Sequence, residues 1–183
     1  ELTVAKTYQV KFSIRMTINE TARMIQHFST MDSNEDWVRN TAADPCIQKM
    51  IAEGRASVKK VNIGETEAWG RPVGSSHKQL WADYSTSIVA YKAENIDLIL
   101  VDGRFRIACV LESWLQFPQA TIVLHDFYDK RYMHHHLAYV KLLEVFEQVE
   151  STDTLISLRT KPSASRETIL AMIEIHRRVS GRL

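Results

Sequence analysis

Two short apolar runs in the middle of the chain each close on an aspartate. They are Ile96 to Asp102 (IDLILVD), continuing into Gly103-Arg104-Phe105-Arg106, and Ala120 to Asp126 (ATIVLHD), continuing into Phe127-Tyr128. Runs of Ile, Leu and Val with so little polar alternation predict strands buried on both faces, as in a parallel sheet covered by helices. In open sheets of this kind ligands bind in the crevice outside the carboxyl ends of the strands, which is where Asp102 and Asp126 would lie. A lone aspartate there also serves as a helix cap or turn residue. Two on neighbouring strands point to a site.

The same patterning predicts a first strand over about Tyr8 to Ile14, with a helix near Ile18 to Phe28 that has Thr17 as N-cap and Ile18, Ala22 and Ile25 on one face. A very short strand, Ser29 to Met31, leads to Asp32. Helices follow over Glu35 to Thr41 and Pro45 to Glu53, the second opened by a first-turn proline and closed by Gly54. A third strand, Ala56 to Asn62, turns at Ile63-Gly64. Residues 64–85 lack a clear period yet carry Trp69, Arg71, Trp81 and Tyr84, which suits a lid or docking surface. Beyond the Asp102 strand, Phe105 to Leu115 reads as a helix, and another follows the Asp126 strand from about Arg131 to Leu143. Phe146 to Glu150 and Thr154 to Arg159 form a hairpin across Ser151-Thr152-Asp153. The last element is an amphipathic helix over about Ser165 to Val179, with Ile169, Met172, Ile173 and His176 on one side. Five parallel-type strands followed by a hairpin describe an α/β, Rossmann-like, doubly wound and mostly parallel sheet with a terminal helix.

At 183 residues the chain suits a single domain over residues 1–183, with a sheet core over about 8–162. A formal net charge of +1 predicts neither nucleic-acid nor membrane attraction, and no apolar run reaches the length of a membrane span. Two cysteines, Cys46 and Cys109, give no disulfide framework, so an intracellular reducing compartment is expected. Opening at Glu1 on an apolar stretch suits a processed or truncated chain, which keeps an organelle reached through a removed transit peptide open.

Asn62 to Pro72 (NIGETEAWGRP), Trp81 to Ser85 (WADYS), Asp97 to Leu111 (DLILVDGRFRIACVL) and Thr121 to Tyr132 (TIVLHDFYDKRY) resemble a group of class I S-adenosylmethionine-dependent methyltransferase-like proteins; DGRFR together with HDF is the specific part. The resemblance implies a seven-stranded sheet with a terminal reversed hairpin. It implies that Asp32, as the acid ending the second strand, holds the cofactor ribose, with Ser13 and Asn62 also on the cofactor side. The glycine-rich loop after the first strand of such proteins falls on Lys11 to Ile18 (KFSIRMTI), which contains no glycine. Ser13 stands at the first glycine position, and Arg15 and Met16 stand at a glycine pair. A Cβ where φ is positive costs on the order of 1 kcal/mol, and Lys11 and Arg15 bring positive charge toward a sulfonium that is itself positive.

Asp102 and Asp126 are similarly placed to the carboxylates that hold a divalent ion, Mg²⁺ for example, in metal-dependent catechol-type relatives, although Phe127 stands where an Asn ligand is expected there. His125 is a candidate general base on a substrate hydroxyl. His134 to His136 are adjacent on an expected helix and cannot converge on one ion. Arg104 and Arg106 are either an anion clamp or ion-pair partners of the two aspartates. Two functions follow. One is a catalytically silent methyltransferase-like module, a structural or binding subunit that docks through residues 64–85 and the C-terminal helix. The other is an active S-adenosylmethionine-dependent O-methyltransferase using Asp102, His125 and Asp126 on a small-molecule or sugar hydroxyl.

Overall fold

The apolar run ahead of Asp102 is a strand in the interior of a mixed sheet, Leu98–Val101, whose Ile99 and Val101 are fully buried. A computed structural model of the chain describes residues 2–7, 25–33, 35–93, 96–127, 138–152 and 154–179. Its strands are β1 (Leu2–Thr7), β2 (Ile25–Asp32), β3 (Ala56–Lys60), β4 (Leu98–Val101), β5 (Thr121–Leu124), β6 (Phe146–Thr152) and β7 (Leu155–Thr160). They lie in the order β3-β2-β1-β4-β5-β7-β6. Pairing is parallel from β3 through β5 and antiparallel for β5 with β7 and β7 with β6. The chain winds outward from β1 to β3, then crosses back to β4. The strand order reverses between β1 and β4, the ordinary place for a ligand in such sheets.

Among the described residues five α-helices accompany the sheet: α1 (Glu35–Ala43), α2 (Pro45–Ala52), α3 (Trp81–Thr86), α4 (Arg106–Gln116) and α5 (Arg166–His176). Asp44 caps α2, its Oδ1 accepting from the N–H groups of Cys46 at 2.9 Å and Ile47 at 3.1 Å. Gly54, at φ +69°, ends the turn after it. α4 contributes Ala108, Val110 and Leu111 to the core, and both α3 and α5 pack on it. Ile169, Met172, Ile173 and His176 of α5 are buried there, and Arg177 at its end reaches Glu112 of α4 at 3.1 Å. The apolar stripe of the terminal helix is thus packed inside the fold.

Several expectations shift. The strand expected over Tyr8 to Ile14 lies outside the described residues; the first described strand is β1, earlier in the chain. Residues 25–28, expected to finish a helix, belong instead to β2, which is eight residues long rather than three. Ile25, Phe28 and Met31 repeat every third residue and so imitate a helix, but β2 is paired on both edges, by β1 and β3, and tertiary pairing overrides the local period. Of the helix expected over Arg131 to Leu143, residues 131–137 and the histidines at 134–136 lie outside the described residues, and Val140–Glu144 is a 3-10 turn. The 64–85 segment is more ordered than its pattern implies. It holds a two-stranded ribbon (Thr66–Glu67 with Arg71–Pro72), short 3-10 turns and most of α3. Trp81 and Tyr84 face the core rather than a partner.

Gly64 is required where it stands. Its φ is +90°, and a Cβ there would meet the His77 side chain at 2.5 Å. Among the described residues no helix is long and apolar enough to cross a membrane.

Ile99, in β4 between β1 and β5, tests the central packing. Ile99→Ala is expected to cost about 2–5 kcal/mol in chemical denaturation, whereas Ile175→Ala, on the exposed side of α5, should stay within about 0.5 kcal/mol.

Candidate functional site

Asp102 and Asp126 come together because β4 and β5 are adjacent and in register, with Val101 opposite Leu124 and the His125 N–H donating to the Val101 carbonyl at 3.0 Å. Each aspartate follows the end of its strand. His125 lies between them: its Nδ1–H donates to Asp102 Oδ1 at 2.7 Å and passes Asp126 Oδ1 at 3.4 Å. Asp102 is 7% exposed, His125 29% and Asp126 27%, a gradient from a buried carboxylate to an accessible imidazole edge. Nε2 has no partner among the described residues.

Arg106, the first residue of α4, completes the cluster. Its Nη2 donates to Asp126 Oδ2 at 3.0 Å and to Asp102 Oδ1 at 3.3 Å, and Nη1 donates to the His125 carbonyl at 3.3 Å and the Tyr139 hydroxyl at 3.2 Å. Nε donates to the Gly103 carbonyl at 3.0 Å. A guanidinium at a helix N-terminus opposes the helix dipole, and the two carboxylates beside it reverse that penalty. Arg106 thus takes the ion-pair role that sequence left open. The Arg104 backbone N–H donates to the Tyr84 hydroxyl at 3.3 Å. Burial, and then the nearby Arg106 charge, hold its guanidinium below the ordinary arginine range.

Both non-glycine residues with positive φ among the described residues flank this cluster: Phe105 at 52° and Asp126 at 59°. Asp tolerates the left-handed region; for Phe it is strained by about 1–2 kcal/mol. The Phe105 ring offsets that strain, since full burial of such a side chain is worth roughly 1.5–3 kcal/mol. It packs between Trp81 and Tyr84, with ring centroids 5.7 and 5.5 Å away. The left-handed turn brings Arg106 back over Asp102 four residues earlier. Neither this strain nor the Tyr139 contact is legible in sequence, because Tyr139 comes from the far side of β5 and no spacing links it to Arg106.

The hydrogen bond that His125 donates to Asp102 raises the His125 pKa above the ordinary histidine value; burial opposes the rise, and the negative charges of Asp102 and Asp126 reinforce it. The donor set of Asp102, His125 and Asp126, with ligand atoms within 4.8 Å of one another, has the chemistry of a hard divalent site. The Arg106 guanidinium already lies against both carboxylates.

Of the residues expected to face a cofactor, Asp32 ends β2 at the same carboxyl edge, opposite Lys60 of β3. Next to it, Ser33 is buried with its Oγ unpartnered among the described residues. An orphaned hydroxyl costs about 1–3 kcal/mol unless something bonds it. Asn62 is exposed and its Oδ1 accepts from the Gly64 N–H at 3.0 Å, closing the turn after β3. Ser13 and the Lys11 to Ile18 segment lie outside the described residues.

The strand order, with the last strand inserted antiparallel beside β5, is that of a methyltransferase-like fold. The chain is similar to the crystal structure of a methyltransferase-like protein from Silicibacter pomeroyi DSS-3, at 20% identity and a TM-score of 0.66, covering 98% of this chain and 89% of that one. It is also matched to an uncharacterized protein from Listeria monocytogenes serotype 4b at 9% identity and a TM-score of 0.43, covering 92% of this chain and 67% of that one, a similarity too slight to bear on the fold. No family model and no curated protein matches the sequence.

The Asp102–His125 tie has a signed pH dependence. Because the folded pKa is raised, its stabilisation is complete below the unfolded histidine value near 6.5 and drains away as pH rises through the folded one. In an NMR titration His125 should titrate above 6.5. Asp102→Asn should lower that value and flatten the loss of stability toward alkaline pH.

Proposed function

We propose that this methyltransferase-fold module is an S-adenosylmethionine-dependent O-methyltransferase acting on a hydroxyl of a small molecule or sugar, with His125 as the general base. The carrying observation is the 2.7 Å contact between Asp102 and His125 Nδ1, which fixes the tautomer and leaves Nε2 as the open nitrogen of a partly exposed ring. S-adenosylmethionine, when bound, supplies an electrophilic methyl group on a sulfonium. His125 Nε2 would take the proton of the acceptor hydroxyl, and the cofactor would supply the methyl group, its C–S bond breaking as the O–C bond forms and S-adenosylhomocysteine departing. Asp102 holds Nδ1–H and stabilises the imidazolium that results, and Asp126 adds negative charge beside it. The reversal of strand order beside β4, the position of Asp32 and the orphaned Ser33 hydroxyl support a cofactor on the adjoining strand ends.

A base with a raised pKa is neutral only toward higher pH, so methyl transfer should rise as pH passes through the His125 value. A second reading, the silent structural or binding subunit, is favoured by the glycine-free Lys11 to Ile18 segment.

Calorimetric titration with S-adenosylmethionine and S-adenosylhomocysteine separates the two. The enzyme should bind both with micromolar affinity and release S-adenosylhomocysteine when offered a hydroxylated acceptor from a panel of phenols, polyols and sugars. His125→Ala should leave cofactor affinity intact while lowering transfer roughly 10²–10⁴-fold. Neither heat nor a thermal shift with either compound would sink the enzyme in favour of the silent module.

A further inference from the structure

We infer that Arg106 is the resident cation of this site: its guanidinium occupies the bridging position between Asp102 and Asp126 that a divalent ion would otherwise take, and it holds the two carboxylates around His125. Nη2 lies 3.0 Å from one carboxylate and 3.3 Å from the other, at hydrogen-bond distance from both. An ion bridging the same oxygens would sit about 2.0–2.6 Å from each and directly against this positive charge. The guanidinium has little reason to leave. All of its N–H groups meet acceptors, since Gly103 and His125 offer carbonyls and Tyr139 its hydroxyl in addition to the two carboxylates, and the side chain is 13% exposed. Swinging it out would break all of those bonds at once, at a cost for each.

The charges balance without a metal. Two carboxylates face one guanidinium and one imidazole, so the cluster reaches neutrality when His125 carries a proton. A divalent ion added to that set would leave an excess of positive charge in a partly buried space. The tyrosine ring beneath adds to the hold, with the guanidinium carbon 5.8 Å from the Tyr139 ring centre. Arg106 is therefore a positioning residue, acting through Asp102 and Asp126 on the orientation of His125. The inference concerns the site of the proposed reaction but needs neither methyl donor nor acceptor, so it can fail or hold independently of that reaction.

Titration of the full chain with Mn²⁺, followed by electron paramagnetic resonance of the free ion, tests it. The unmodified protein should show no Mn²⁺ site that depends on Asp126. Arg106→Met removes the resident charge and frees both carboxylates, and is expected to gain a site with roughly tenfold or greater increase in Mn²⁺ affinity. Adding Asp126→Asn to that variant should abolish the gain. Should Arg106→Met fail to fold, Arg106→Gln keeps two donors without the charge and is expected to gain the same site. A Mn²⁺ site in the unmodified protein that Asp126→Asn removes would overturn the inference, as would a folded Arg106→Met or Arg106→Gln that gains no affinity.

Discussion

The carboxyl edge of this sheet is organised around one buried guanidinium. Parallel packing of β4 and β5 brings two aspartates to adjacent strand ends, where their like charges repel. Arg106 removes that conflict by bonding both. Removing one member of such a buried pair leaves an uncompensated charge, which typically costs about 3–5 kcal/mol. The guanidinium also spans three separate parts of the chain, the β4–α4 turn, the end of β5 and the segment carrying Tyr139, so the geometry of the edge is set by electrostatics as much as by the sheet.

Backbone strain cooperates with this arrangement. Non-glycine residues held at positive φ persist only where surrounding packing over-determines them, and such residues cluster at functional sites. Phe105 is fixed by two aromatic neighbours and Asp126 by its pair with Arg106. A polar cluster held this rigidly suits chemistry in which an imidazole must keep one tautomer and one direction. It equally suits a scaffold that has to keep its strand ends together.

Much of this was legible in residue order alone. The runs ending in Asp102 and Asp126 announced two buried neighbouring strands, Pro45 and Gly54 announced the bounds of a helix, and the stripe of Ile169, Met172, Ile173 and His176 announced a helix with one buried face. Each signal is local, a period or a cap. What escaped depended on distant partners: the eight-residue β2 is held by strands on both sides despite a helix-like period, and Trp81 and Tyr84 look like exposed aromatics until Phe105 is found between them. Arg106 was one of two arginines flanking Phe105, and only the left-handed turn decides which of them reaches the aspartates.

The position of β7 has a consequence for how the molecule is made. This strand follows β6 in sequence yet lies between β6 and β5, so the open edge of β5, beside His125 and Asp126, stays unpaired until residues 155–160 are available. During synthesis the parallel strands would precede it with that edge exposed, the state in which sheets most readily pair with the wrong neighbour. Even then the edge is anchored beyond the strand, because the Phe127 N–H donates to the carbonyl of Thr154 in the hairpin turn at 2.9 Å. Closure of the hairpin is thus the event that joins assembly of the site to completion of the fold, and quality control of this protein would act on the same few residues as its chemistry.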